Sequence, residues 1–470
     1  MFIDGSCLPE GSVVSILVQE WQYIAPRCAM PPKSMVLLDE VTAMTRRFAK
    51  PIPRLTAMSL VLGGLLAAKP AGDWPTWRGP NRDGISRDRG LLSHWSKSGP
   101  PIHWKVTGLG RGYSSVSIAD GRLFTLGQRG GKSDLIALDL RDGHELWATK
   151  VGSGSPNSTP TVDGTRVYAI GRNGNLLCAG VSDGRAIWRK DFAKDFGGRM
   201  MSGWGYSESP LVDGDRLICT PGSNDAMLAA LDKKTGRVIW KAAMPDDVGR
   251  RGRDGAGYSS VVISHAAGVK QYVQLVGRGI VSVDARSGKV LWTYNRVANG
   301  TANIPTPIVS GDYVFCSTGY GTGAALLKIS KQGNRVVARE QYFLKGRTFQ
   351  NHHGGMVLLD GYVYCGHGHN NGLPICIELK TGKVMWGGRI RGPGSRSAAV
   401  VYADGHLYFR YENGVMALID ANPRKYKLEG SFKIASHNGR SWPHPVIQDG
   451  KLYLRDQGTL LCYDIRAHRK

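Results

Sequence analysis

The sequence predicts an all-β protein, an eight-bladed β-propeller of four-stranded blades. Three observations lead there. The composition is rich in glycine and aromatics, one hairpin signal recurs eight times, and a strand near the start supplies what the last repeat lacks. The chain has 470 residues, 63 of them glycine, with 12 Trp and 18 Tyr. Glycine at that level without a Gly-X-Y period excludes collagen, and the aromatic content excludes a disordered chain.

The recurring signal is a tight turn between two apolar runs: Asp120-Gly121, Asp163-Gly164, Asp213-Gly214, Ser310-Gly311, Asp360-Gly361, Asp404-Gly405 and Asp449-Gly450, with Ala267-Gly268 as a degenerate copy. Asp-Gly in this setting predicts a type I′ hairpin turn, because both central residues need positive φ. The glycines are 43 to 54 residues apart, a length that suits a four-stranded blade. A strand follows each turn, for example Arg122-Leu-Phe-Thr-Leu and Lys451-Leu-Tyr-Leu. A third strand and a turn come next, and the pattern then places a fourth strand ending on Trp147, Trp188, Trp240, Trp292 or Trp386. The copies near residues 326–338 and 415–432 lack the tryptophan. The eighth copy stops after Leu460-Leu-Cys-Tyr-Asp-Ile465, and an unpaired edge there would be exposed. Pro101-Ile102-His103-Trp104 reads as the missing strand, which closes the ring. A linear solenoid is the alternative.

Four segments are expected: residues 1–43, an over-extended start or a disordered segment; 44–72, a signal peptide; 73–99, a lead-in; and 100–470, the propeller. Residues 58–68 are strongly apolar, follow Arg46, Arg47, Lys50 and Arg54, and precede small residues at 67–72. That is the pattern of a secretory signal, and it is too short for a membrane span. No cysteine follows it to carry a lipid. The expected location is therefore periplasmic or secreted.

The chain holds 61 Lys and Arg against 37 Asp and Glu, a net charge of +24. This favours anionic partners. The basic residues are scattered, so no specific nucleic-acid motif is indicated. Cys219, Cys316 and Cys365 share one second-strand position, and Cys178, Cys376 and Cys462 share one third-strand position. Such residues are expected to be small packing groups, with Cys365 and Cys376 the pair placed to bridge.

Ala137-x-Asp139-x-x-Asp142-Gly143-x-x-x-Trp147 and its four relatives resemble the tryptophan-docking repeat of the pyrroloquinoline-quinone (PQQ) propellers. The lead-in Asp73-Trp74-Pro-Thr-Trp77-Arg78-Gly79-Pro80 is similar to openings in that family. The resemblance implies that Trp147, Trp188, Trp240, Trp292 and Trp386 lock blade to blade. It also implies one of two functions: a quinoprotein alcohol dehydrogenase, or a BamB-like assembly scaffold without cofactor. The dehydrogenase needs PQQ, a cation such as Ca²⁺ on oxygen ligands, a carboxylate base and, typically, a vicinal Cys-Cys pair. This chain has no Cys-Cys and no Cys-x-x-Cys-His for a haem.

Residues leading into the first strands should ring the channel mouth. These are Tyr113, Trp204, Tyr206, Glu208, Tyr258, Asn303, Arg396, Trp442 and His444, candidates for binding a ligand. Four histidines of blade six, His352, His353, His367 and His369, are expected to approach one another, His367 and His369 on one side of a strand. Imidazoles in that arrangement suit a transition metal; polar loop histidines are the alternative.

The expectation is a monomeric, exported, non-catalytic scaffold that holds an envelope protein or an anionic polymer. The alternatives are a PQQ- and Ca²⁺-dependent dehydrogenase of polymeric alcohols and a metal-dependent enzyme using the histidines.

Overall fold

The computed structural model of the protein describes residues 72–467. The expected start segment and signal peptide lie outside these residues, save Gly72. Among the described residues no helix is long and apolar enough to cross a membrane.

The described chain forms eight four-stranded antiparallel sheets, each a blade. In blade 1 the order from the channel outward is Ser117–Ala119, Arg122–Arg129, Lys132–Asp139 and Glu145–Ser153. The second and third strands are buried on both faces, between neighbouring blades, and so read as continuous apolar runs. The outer strands are largely exposed. Blade 8 runs Val446–Gln448, Lys451–Asp456 and Thr459–Asp464, and its outer strand is Ile102–Val106. The ring is therefore closed by the N-terminal strand, as expected. Two short elements fall outside the β pattern: a five-residue helix, Phe192–Phe196, capped by Asp191 and by Gly197 at φ 62°, and a 3-10 turn, Ala266–Gly268.

Two local expectations need correction. The two-residue turns are of two kinds, and in blade 4 Ser264 pairs with Gln271 around a longer loop that contains Ala267-Gly268. Asp120-Gly121, Asp360-Gly361, Asp404-Gly405 and Asp449-Gly450 have positive φ at both residues, the type I′ pattern. In blades 2, 3 and 5 the loop is shifted by one residue. Asp163 pairs with Arg166, Asp213 with Arg216 and Ser310 with Tyr313, leaving Gly164-Thr165, Gly214-Asp215 and Gly311-Asp312 as the central pairs. Only the glycine of each pair has positive φ, the type II′ pattern. The extra residue after glycine is the cause, since it moves the aspartate into the strand. There Asp163 meets Lys233 Nζ at 2.6 Å and Asp213 meets Lys270 Nζ at 2.7 Å, each in the next blade.

The fourth strands also do not end on tryptophan. Trp147, Trp188, Trp240, Trp292 and Trp386 are each the third residue of the outer strand, which continues to pair beyond them. Three of the indole N–H groups donate to a carbonyl of the following blade: Trp147 to Val181 at 3.1 Å, Trp188 to Lys233 at 3.1 Å and Trp386 to Asn422 at 2.7 Å. The repeat glycine accepts the indole. A Cβ on Gly184 would come within 2.5 Å of Trp147, and one on Gly236 within 2.9 Å of Trp188. Trp104 of the closing strand occupies the same register in blade 8 and lies against Gly143. It is a further docking tryptophan. Tyr342 takes the place in blade 5, packing on Gly382 and donating to Leu379 O at 2.6 Å. In blade 7 the place is Gly430, whose missing side chain leaves room for Trp95 of the lead-in.

The six described cysteines are buried and unbridged. Cys365 pairs with Ile375 and Cys376 with Tyr364, so the two thiols are one residue out of register. Adjacent positions on antiparallel strands alternate faces, which places them on opposite sides of the blade. The bridge this pair could have made does not form, and the cysteines are buried packing groups as expected.

The lead-in runs along the channel. Trp74 O accepts from Ile118 N and Pro75 O from Val162 N, both at 2.8 Å. Arg82 donates to Pro210 O at 3.0 Å, Arg78 donates to Met356 O, and Gly84 O accepts from Tyr402 N. Asp88 accepts from Gly450 N at 2.8 Å. It thus touches blades 1, 2, 3, 6, 7 and 8. Burial lowers the pKa of both Arg78 and Arg82 to about 10, so both stay charged at neutral pH.

Candidate functional site

Above the lead-in lies a cavity of about 310 Å³, floored in part by Trp77. That is at the small end of the ~300–1,000 Å³ usual for ligand sites. The loops before the inner strands build its wall. Of the expected mouth residues, Tyr113, Trp204, Tyr258, Arg396, Trp442 and His444 line it, and so do His352 and His353. Tyr113 lies against Trp442 with ring centroids 4.3 Å apart, and Trp204 meets Trp442 edge-on at 6.0 Å. Trp204 is 48% exposed, at the rim.

Three of the expected residues face elsewhere. Tyr206 is buried against Phe192, with its hydroxyl donating to Pro221 O at 2.8 Å. Glu208 is buried below the mouth and accepts from Thr220 N at 2.7 Å and Thr220 Oγ1 at 2.9 Å. Burial raises its pKa to about 8, with the Thr220 bonds and then the Arg82 charge acting in the opposite direction. Trp204, Tyr206 and Glu208 would share a face on an extended chain, but Gly205 at φ 82° breaks that alternation. Asn303 is a fully buried brace, donating to Val276 O and Gly277 O.

The four histidines divide similarly. His352 packs against His353 and His369 at centroid distances of 4.4 and 4.2 Å. Their nitrogens turn to different partners. His352 Nδ1 pairs with Ser397 Oγ at 2.7 Å, and His369 Nδ1 accepts from Tyr320 N at 3.2 Å. His367 Nδ1 accepts from Gln350 N at 3.1 Å, away from the mouth. The strand ends at His367, and both Gly368 and His369 have positive φ, so His367 and His369 do not share a side. Among the described residues, the one trio with ligand atoms all within 4.8 Å of one another is Asp139, Asp142 and His144, in an exposed repeat turn. Burial lowers the pKa of His352 to about 2 and those of His353 and His444 to about 3, so the rings at the mouth are neutral.

Charge at the mouth comes from Arg172, Arg396, Arg440 and Glu412. Arg396 holds a left-handed backbone at φ 64°, an uncommon conformation for a side-chain-bearing residue. Glu412, 4% exposed, is 3.3 Å from Arg396 Nη1 and 3.9 Å from Arg440 Nε. Among the described residues it is the one carboxylate on the wall. A PQQ–Ca²⁺ pair needs acidic oxygen ligands for the cation and a separate carboxylate base. One carboxylate flanked by two guanidinium groups supplies neither without breaking its own pairs. These residues do not fit that cofactor pair.

A ring of hydroxyls under the mouth was not anticipated. The backbone N–H of Ser115 donates to Thr159 Oγ1, Thr159 N to Ser209 Oγ, Ser209 N to Ser260 Oγ, and Ser260 N to Thr306 Oγ1, at 3.0–3.1 Å. Ser115 Oγ donates to His444 O at 2.7 Å, joining blade 1 to blade 8. The signal was legible: a Ser or Thr stands two residues before the first strand in blades 1 to 5. In blade 6, Gly355 leaves space for the Arg78 side chain instead.

Residues 131–388 match the family described as outer membrane protein assembly factor BamB. The protein of that name from Shewanella oneidensis is 24% identical over 282 residues, 56% of this chain and 66% of that protein. The match thus spans just under two thirds of that relative's length. BamB from Moraxella catarrhalis superimposes with a TM-score of 0.53 at 14% identity, covering 77% of this chain and 98% of that one. The quinohemoprotein alcohol dehydrogenase from Comamonas testosteroni gives a TM-score of 0.59 at 13% identity, covering 85% and 81%. At these identities the two structures speak to the fold alone.

Proposed function

We propose, from the premise that this chain belongs to the PQQ-repeat β-propellers in their BamB-like branch, that it is an exported, non-catalytic scaffold of the cell envelope. Its rigid ring presents loops to an envelope protein, and the excess of basic residues favours a partner with an acidic face. The observation that carries this reading is the chemistry of the mouth. Its one carboxylate is engaged by arginine, and the imidazoles of His352, His353 and His444 are neutral. That arrangement favours holding a ligand over transforming one.

The test is cross-linking in cells of the native host, followed by fractionation and mass spectrometry of the cross-linked partners. Recurrent cross-links to envelope proteins are expected. A cytosolic location, or dye-linked alcohol oxidation by the purified protein with PQQ and Ca²⁺, would sink the proposal.

A further inference from the structure

The mouth contains polar atoms that nothing among the described residues satisfies. Both ring nitrogens of His353, Nδ1 of His444 and Nε1 of Trp442 are buried without a hydrogen-bond partner among the described residues. All three side chains line the cavity. Buried polar groups are rarely left unpaired, so such a set on one cavity wall points to a bound molecule.

The chemistry of that molecule follows from the wall. A neutral imidazole offers one donor and one acceptor, and an indole N–H offers a donor. Hydroxyl groups, which both donate and accept, answer all of these. The half-exposed indole of Trp204 provides a flat apolar face beside a polar rim, suited to the C–H face of a sugar ring. Three arginines stand against one carboxylate, so the mouth has room for negative charge. Arg440 lies over the Trp442 ring at 5.3 Å, and Arg396, its side chain 59% exposed, approaches the same oxygen of Glu412 as Arg440 does. Guanidinium forks match carboxylate geometry.

We propose that the mouth binds an acidic sugar, a hexuronate residue. Its carboxylate pairs with Arg440 and Arg396, its hydroxyls pair with His353, His444 and Trp442, and its ring packs on Trp204. A free sugar acid and the end of an acidic polysaccharide share this chemistry. The inference rests on the mouth being the binding site, and it is independent of which envelope protein the ring holds.

The test is titration of the purified protein, followed by calorimetry and Trp fluorescence, with four probes: trigalacturonate, neutral galactotriose, galacturonate and PQQ. Saturable binding of trigalacturonate is expected, weakened by salt and at least about tenfold tighter than galactotriose. Tighter binding of the trisaccharide than of galacturonate identifies a polymer end, and equal binding a free sugar acid; either supports the proposal. Arg440→Gln should lower affinity about tenfold with an unchanged circular dichroism spectrum. If that variant misfolds, Trp204→Ala at the exposed rim serves instead. Equal binding of galactotriose, tighter binding of PQQ, or no saturation at millimolar trigalacturonate overturns it. Loss of sugar binding with cross-links intact would sink this inference alone; the reverse result would sink only the scaffold.

Discussion

Glu208 offers a quantitative test of how the channel is built. Its carboxyl is fully buried, held by Thr220 and faced by Arg82 of the lead-in. Burial lifts its pKa from 4.5 to about 8. The folded protein therefore keeps a proton that the unfolded chain has already released. The stability this contributes is complete below about pH 4.5 and is lost as pH rises through about 8. At 1.36 kcal/mol per unit, the whole loss is about 5 kcal/mol, of which about 2 kcal/mol falls between pH 6 and 8. Glu208→Gln removes the ionisation and keeps the shape. The amide oxygen still accepts from Thr220 N, and Arg82 retains its carbonyl partner at Pro210. Denaturant unfolding followed by Trp fluorescence, from pH 5.5 to 9, should show stability declining in the parent and no such decline in the variant. If both lose stability equally above pH 6, Glu208 does not carry the effect. If Gln is the less stable at pH 9, the ionised carboxylate is held by Arg82 more strongly than burial opposes it, and the reasoning fails.

Three further outcomes follow from the same structure. His353 and His444 have pKa values lowered to about 3, so stability should fall as pH drops below about 6.5, where the unfolded chain takes up protons the folded one refuses. His444→Gln should reduce the acid slope by about one proton in a circular dichroism titration, and an unchanged slope would count against it. Trp104→Ala, which empties the docking position between blades 8 and 1, should cost about 2–4 kcal/mol in denaturant unfolding, whereas a cost near zero would mean that Trp104 does not dock. Peptide mapping without reductant should recover Cys365 and Cys376 as free thiols, and a linked pair would contradict the register.

The repeat was legible because each blade solves the same packing problem with the same residues at the same spacing. The turn types were half legible: Gly164-Thr165 and Gly214-Asp215 differ from Gly121-Arg122 by one residue, and that residue decides where aspartate sits. The mouth could be located, since loops before inner strands must converge on the channel. Which side chains point into it was not, because single glycines such as Gly205 and Gly368 reset the alternation that orients their neighbours. Contacts made by Arg78, Arg82 and Trp95 were invisible for a different reason. They join the lead-in to blades more than a hundred residues away, and no local pattern encodes such a meeting.

The lead-in also sets a timetable. Asp88 meets Gly450 across 362 residues of sequence, and Ile102–Val106 pairs with Thr459–Asp464. These two parts of the stretch synthesised before the first blade find these partners only when the last blade exists. Contacts of such long sequence separation form slowly, because the entropy of closing the loop must be met before they contribute. Until Ile102–Val106 docks, Trp104 lacks its packing against Tyr453, and the last blade shows an unpaired edge. Ring closure, rather than the making of any blade, is thus the step at which a nascent chain is most open to meeting another copy of itself.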